Sequence, residues 1–184
     1  MSGSSPRRAV WLVAPVAVAL ALLVLLLATR DPSSDRAVSG MAVGRIAPLT
    51  EGLDLDGVWF DLDQQRGRWI VVNFFSTTCV PCIDEHPELV QFSERHRPIG
   101  DALVVSVAFD DSAANVREFF ADFGGDWPVL THDVGSLAVA YGVTAVPESY
   151  LVAPSGVVAA KLVGGVTADG LDQQIADLLV GAEQ

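Results

Sequence analysis

The sequence predicts an α/β fold: one mixed sheet with helices on both faces, entered through a β-hairpin and preceded by a single membrane-spanning helix. Three observations carry this. Strand-like apolar runs alternate with helical patterns and close on a hairpin and a helix. The run Trp69–Phe75, apolar but for Asn73, breaks into a Ser/Thr turn that delivers Cys79 and Cys82 onto a helix start. From Ala9 to Thr29 there is no charged residue, and most positions are Ala, Val or Leu.

The hydrophobic fraction of 51% is high for a soluble domain, and the excess sits in that N-terminal run. About twenty helical residues span roughly 30 Å, the thickness of a bilayer hydrocarbon core. Arg7 and Arg8 precede the run, whereas only Arg30, beside Asp31, directly follows it. The positive-inside bias therefore leaves residues 1–8 in the cytoplasm, 9–29 as the anchor, and the remainder outside. A cleaved signal peptide is the competing reading. It would have a shorter apolar core ending at a small-x-small site, but Leu22–Leu27 continue past the small residues. Either way the domain is exported to an oxidising compartment, where an isolated cysteine pair can work as a disulfide. Residues 30–42 are mostly small and polar and read as a flexible tether. From Ala37 onward, seven Lys and Arg face twenty-one Asp and Glu, a formal charge of −14. This excludes nucleic acid and argues against docking on anionic lipid.

Residues 43–184 form the predicted domain. Alternating apolar residues around Asp56-Gly57 predict a hairpin. Trp69–Phe75 is a buried strand. The helix after the cysteines shows an imperfect apolar face (Ile83, Leu89, Val90, Phe92), ends near Arg97-Pro98, and should kink at Pro87. Ala102–Phe109 is another buried strand. Asp111 or Ser112 caps a helix with Val116, Phe119, Phe120 and Phe123 on one face, stopped by Gly124-Gly125. A short strand at Pro128–Thr131 and a helix over Ser136–Tyr141 follow. Pro147–Val152 and Val157–Val163 make an antiparallel hairpin across Pro154-Ser155-Gly156, and Thr167 caps a last helix bearing Leu171, Ile175, Leu178 and Leu179. This order is that of a thioredoxin-like fold with an N-terminal hairpin extension.

Cys79 and Cys82 are the only cysteines in the chain, and their spacing fits a dithiol that opens and closes across one helical turn. A helix N-terminus favours the thiolate of Cys79 through its unpaired N–H groups and dipole. Cys82, a turn further in, is placed to resolve a mixed disulfide. Val80-Pro81 adds no charge and withholds one N–H. A structural disulfide and two zinc ligands are the alternatives. The first gains little from so short a loop, and the second lacks a further cysteine pair. Glu85, three residues after Cys82, is a candidate proton acceptor for it or a solvated helix carboxylate. His86 is expected on the helix surface, and Asn73, polar within an apolar strand, is expected to hydrogen-bond near the site. Pro147 opens a strand; in the cis form it would expose the backbone of Val146 to an extended substrate, and in the trans form it is an ordinary loop proline. Glu148 beside it is a specificity residue or surface charge.

Two stretches together, Phe74–His86 and Tyr141–Leu151, resemble the membrane-tethered thioredoxin-like proteins of the TlpA/ResA/DsbE (CcmG) group over residues 43 to 180. The resemblance implies a cis Pro147, Glu85 as the acidic residue near the thiols and Glu148 near the substrate groove. It also implies reduction of disulfides outside the cytoplasm, notably in apocytochrome c before haem attachment, with electrons from a membrane donor of the CcdA/DsbD kind. No cofactor beyond the cysteine pair is expected, and a monomer is expected. Thr78 departs from the pattern, which has Trp before the first cysteine, so the groove beside Cys79 is smaller and more polar. Three further readings stay open: a general extracytoplasmic disulfide reductase, a thiol peroxidase, and a copper-delivery module. The peroxidase pattern would need proline and threonine where Val72 and Ser76 stand. The copper module would use the cysteines with His86 or His132.

Overall fold

The structure, a computed structural model, describes residues 42–182 together with Leu20 and Leu22, both helical. The chain divides into Met1–Ser34 and Asp35–Gln184. The expected cytoplasmic segment 1–8, the span 9–29 and the tether 30–42 lie outside the described residues, apart from Leu20, Leu22 and Ala42. Among the described residues no helix is long and apolar enough to cross a membrane.

Within the described residues 42–182 there are seven strands: β1 (Glu51–Leu53), β2 (Trp59–Asp61), β3 (Trp69–Phe75), β4 (Ala102–Ala108), β5 (Val129–Leu130), β6 (Glu148–Val152) and β7 (Val158–Val163). Four α-helices accompany them there: α1 (Val80–His96), α2 (Ala113–Phe123), α3 (Val134–Tyr141) and α4 (Ala168–Ala182). The main sheet has the order β5-β4-β3-β6-β7, with β4 parallel to β3, β5 parallel to β4, and β6 and β7 antiparallel additions. This is the predicted thioredoxin-like arrangement, and β1-β2 is the predicted hairpin. Its turn is closed by Asp54 Oδ1, which accepts from Asp56 N and Val58 N at 3.0 and 2.8 Å, with Gly57 in the left-handed region.

The central strand β3 is buried along its whole length because both faces are covered. Val71 and Phe75 join one cluster with Leu89 and Phe92 of α1, Val116 and Phe119 of α2, and Leu171 of α4. Ile70, Val72 and Phe74 join a second cluster with Phe60, Leu62 and, from α3, Leu137 and Tyr141. Each such side chain removed from water contributes about 1.5–3 kcal/mol, so the strand that leads to the cysteines is firmly held.

α1 spans Val80–His96 with Pro87 inside it. One local expectation shifts. α3 begins at Val134, two residues before the expected Ser136, from an Asp133 in the left-handed region that makes no side-chain cap bond. Of the two expected cap candidates, Ser112 caps α2, its Oγ accepting from Asn115 N at 3.1 Å. Thr167 does cap α4, its Oγ1 accepting from Gly170 N at 3.1 Å, and Glu88 of α1 accepts from Ala168 N at 2.9 Å.

Candidate functional site

β3 ends at Phe75 and the chain turns through Ser76-Thr77-Thr78, where Cys79 N donates to Ser76 O at 3.1 Å. Cys79 is the N-cap of α1, and its sulfur accepts from Cys82 N at 3.3 Å. Cap residues place an acceptor on an otherwise unpaired helix N–H, and here the acceptor is the sulfur that must carry negative charge when reduced. Pro81 sits in the first turn, where its missing N–H costs nothing. Cys79 and Cys82 form a disulfide with Cα atoms 5.2 Å apart. The two sulfurs are unequal: Cys79 is half-buried and Cys82 is 2% exposed, packed into the core.

The Val146-Pro147 peptide bond is cis, as the resemblance implies, and the Val146 carbonyl oxygen lies 3.6 Å from Cys79 Sγ. Pro147 is buried and its carbonyl accepts from Gly164 N at 3.0 Å. Thr78, exposed and next in sequence to Cys79, has its Oγ1 3.2 Å from Ser76 Oγ.

Glu85 lies one turn below Cys82 and is 3% exposed. Its Oε1 accepts from Asn73 Nδ2 and its Oε2 from Val166 N, both at 2.9 Å. The solvated-carboxylate alternative is therefore excluded, and Asn73 has the partner expected of it. Asn73 Nδ2 also reaches Ser149 Oγ at 3.1 Å, which ties β3 to β6 beneath the dithiol.

His86 and the surface-charge alternative for Glu148 are corrections. Glu148, directly after the cis Pro147, is fully buried. Its Oε2 pairs with Lys161 Nζ at 2.8 Å and accepts from Tyr150 OH at 3.2 Å, while Oε1 accepts from Thr144 Oγ1 at 2.7 Å. Burial alone would raise its pKa, but the Lys161 and Thr144 contacts outweigh burial and hold it below the usual carboxylate range. His86 is 3% exposed beneath Phe119, Phe120, Phe123 and Trp127, with Nε2 2.9 Å from Gly124 O. Burial pushes its pKa down against that hydrogen bond, so the ring is neutral and its Nε2 is already engaged. A copper site built on His86 does not fit this packing.

The structure adds two residues to the site, Lys161 and Asp111, the second expected only as a helix cap. Lys161, the only lysine in the chain, stands in β7 opposite Tyr150 and donates to Gly142 O at 2.9 Å. A lone lysine inside the apolar run Val157–Val163 was the available clue. Asp111 accepts from Thr77 N and Thr77 Oγ1 at 2.7 and 2.6 Å, beside the cysteine loop. The clue was topological, because parallel neighbours β3 and β4 end at the same rim and their following loops meet there.

Comparison with known proteins agrees with this geometry. The Redoxin family model matches residues 42–177. The thiol:disulfide interchange protein HelX of Rhodobacter capsulatus is 29% identical over 142 residues, covering 75% of this chain and 77% of that protein. The thiol-disulfide oxidoreductase ResA of Bacillus thuringiensis is 26% identical over 132 residues, covering 72% and 76%. A solved structure of a putative thiol:disulfide interchange protein DsbE from Chlorobium tepidum superposes with a TM-score of 0.65 at 26% identity, covering 78% of this chain and 99% of that one.

Proposed function

This chain belongs to the Redoxin family and is a thiol-disulfide oxidoreductase of the TlpA/ResA/DsbE kind, and from that premise we propose that it is a membrane-tethered reductant of disulfides in exported proteins. The substrate class that fits best is apocytochrome c before haem attachment. The observation that carries the reading is the asymmetry of the pair, an accessible N-cap sulfur beside the Val146 carbonyl and a core-packed partner one turn behind.

The reaction follows from that placement. Reduced Cys79, its thiolate favoured by Cys82 N–H and the start of α1, attacks one sulfur of the substrate disulfide. A mixed disulfide forms and the other substrate sulfur leaves as thiolate. Cys82, giving its proton to Glu85, then attacks Cys79 Sγ, and the second substrate sulfur leaves. The substrate gains two electrons and the protein keeps the Cys79–Cys82 bond seen here. The backbone at Val146 and Pro147 docks an extended substrate segment, and Thr78 borders the groove. A CcdA/DsbD-type membrane donor returns the two electrons, and the uncharged run 9–29 tethers the domain at the outer face of the cell membrane.

The test is trapping in cells with the full-length Cys82→Ser variant, followed by mass spectrometry of whatever is bound to Cys79. A haem-site peptide of an apocytochrome c is the expected capture. Capture of unrelated exported proteins alone would make the chain a general reductase. No mixed disulfide, with Cys79 left free, would sink the mechanism.

A further inference from the structure

The Ser76–Thr78 loop sets the direction in which Cys79 faces, and its side chains converge on one carboxylate. β3 and β4 run parallel with Phe75 opposite Ala108, and Phe109 N donates to Phe75 O at 2.8 Å, so the pairing continues to the rim of the sheet. Asp110 then takes a left-handed φ of +52°, and Asp111 follows it, half-buried against the loop. The two carboxylate oxygens of Asp111 divide their work. Oδ1 accepts from Ser112 N and Asn115 Nδ2 at 2.8 and 3.2 Å, which ties it to the first turn of α2. Oδ2 accepts from Thr77 N at 2.7 Å, Thr77 Oγ1 at 2.6 Å and Ser76 Oγ at 3.4 Å. Ser76 Oγ is in turn 3.2 Å from Thr78 Oγ1, so a hydroxyl chain runs from Asp111 to the residue that flanks Cys79.

We propose that Asp111 is a positioning residue for thiol–disulfide exchange: it holds the Ser76–Cys79 turn, and through it Thr78 and the Cys79 sulfur, in the orientation that faces Val146. This rests on the oxidoreductase reading of the cysteine pair. Hydrogen bonds to an ionised acceptor are the strong ones, and here three donors from the four-residue turn meet on one carboxylate oxygen. Displacing a reacting atom by about 1 Å can cost about a hundredfold in rate, so a modest relaxation of this turn is measurable.

Positioning and charge predict opposite signs. A carboxylate near Cys79 disfavours the thiolate, so an Asp111 that acted by charge alone would, when removed, lower the Cys79 pKa and speed its reaction near neutral pH. An Asp111 that acts by position would, when removed, slow the reaction even where Cys79 is wholly thiolate. The experiment measures the rate at which Cys79 of the full-length Cys82→Ser chain forms a mixed disulfide with oxidised glutathione, from pH 6 to pH 10. Asp111→Ala in that background is expected to lower the limiting high-pH rate by about tenfold and Thr77→Val, which keeps the side-chain shape, by about threefold. The double variant should be no slower than Asp111→Ala, because both changes cut one linkage. If Asp111→Ala does not fold, Thr77→Val carries the test alone. Unchanged limiting rates, or a lowered midpoint with faster reaction at pH 7, would overturn the proposal. A parent chain that does not react with glutathione at all would count against the oxidoreductase reading, an outcome separate from unchanged rates in a reactive parent.

Discussion

Replacing Lys161 by Met probes the buried pair that underlies the Val146-Pro147 loop. In the native protein Lys161 Nζ meets Glu148 Oε2 at 2.8 Å and Gly142 O at 2.9 Å, and Glu148 Oε1 meets Thr144 Oγ1 at 2.7 Å. Both ends of the loop before Pro147 are thus held from beneath by one ion pair. Removing one partner of a buried pair costs about 3–5 kcal/mol, because the other charge stays buried without its counterion. Thr144 and Tyr150 still donate to Glu148, so the lower part of that range applies, about 3 kcal/mol, or a Tm lower by about 10 °C for a domain of this size. The pH dependence should also reverse. With the native pKa below its reference of 4.5, the contribution of Glu148 is present above 4.5 and lost as pH falls through the folded-state value. Without Lys161, burial dominates and the folded-state pKa rises above 4.5. The variant then regains stability as pH falls through that raised value, and its deficit against the native protein narrows on acidification. Thermal unfolding followed by circular dichroism at pH 7 and pH 5 measures both effects. Glu148→Gln/Lys161→Met, which removes both charges, should recover at least half of the loss. A deficit under about 1 kcal/mol, or a double variant no better than the single, would refute the reasoning.

His86→Phe should flatten the acid side of the stability profile. The folded-state pKa of His86 lies below 6.5, so below pH 6.5 the unfolded chain takes up a proton that the folded chain does not, and stability falls as pH falls. Between pH 7 and pH 5 the native Tm should drop further than that of the variant, and parallel curves would contradict the assigned neutral ring. Gly125→Ala should lower the urea midpoint by the equivalent of about 1–3 kcal/mol. Its φ is +101° and a Cβ would lie 2.9 Å from both Phe120 Cε1 and Trp127 Cη2. An unchanged midpoint would mean that the aromatic layer over His86 is looser than described.

The cysteine pair, the strand leading to it and the order of elements were legible because each rests on local pattern. The run Trp69–Phe75 is apolar at nearly every position, short and rich in β-branched and aromatic residues, as a strand covered on both faces is. Asn73 was legible for the converse reason, as a polar residue with nowhere to go but a partner. What sequence alone could not supply was long-range pairing. Glu148 looked exposed because nothing local indicates that Lys161, thirteen positions on, faces the same interior from the neighbouring strand. His86 looked like surface because periodicity places it on a helix face but does not reveal that α2 and the Gly124–Trp127 segment cover that face. The role of Asp111 was hidden by its resemblance to a helix cap, the function that Ser112 performs.

The central claim, that one sulfur of the pair is the nucleophile and the other its resolving partner, is tested most directly by pulse alkylation. The full-length chain is reduced, exposed briefly to iodoacetamide across a range of pulse lengths, quenched and mapped by mass spectrometry. Cys79, half-buried at the N-cap, should be modified first and with a pH midpoint below that of a free thiol. Cys82, 2% exposed, should lag well behind it. Equal rates at the two sulfurs, or modification of Cys82 first, would contradict the account.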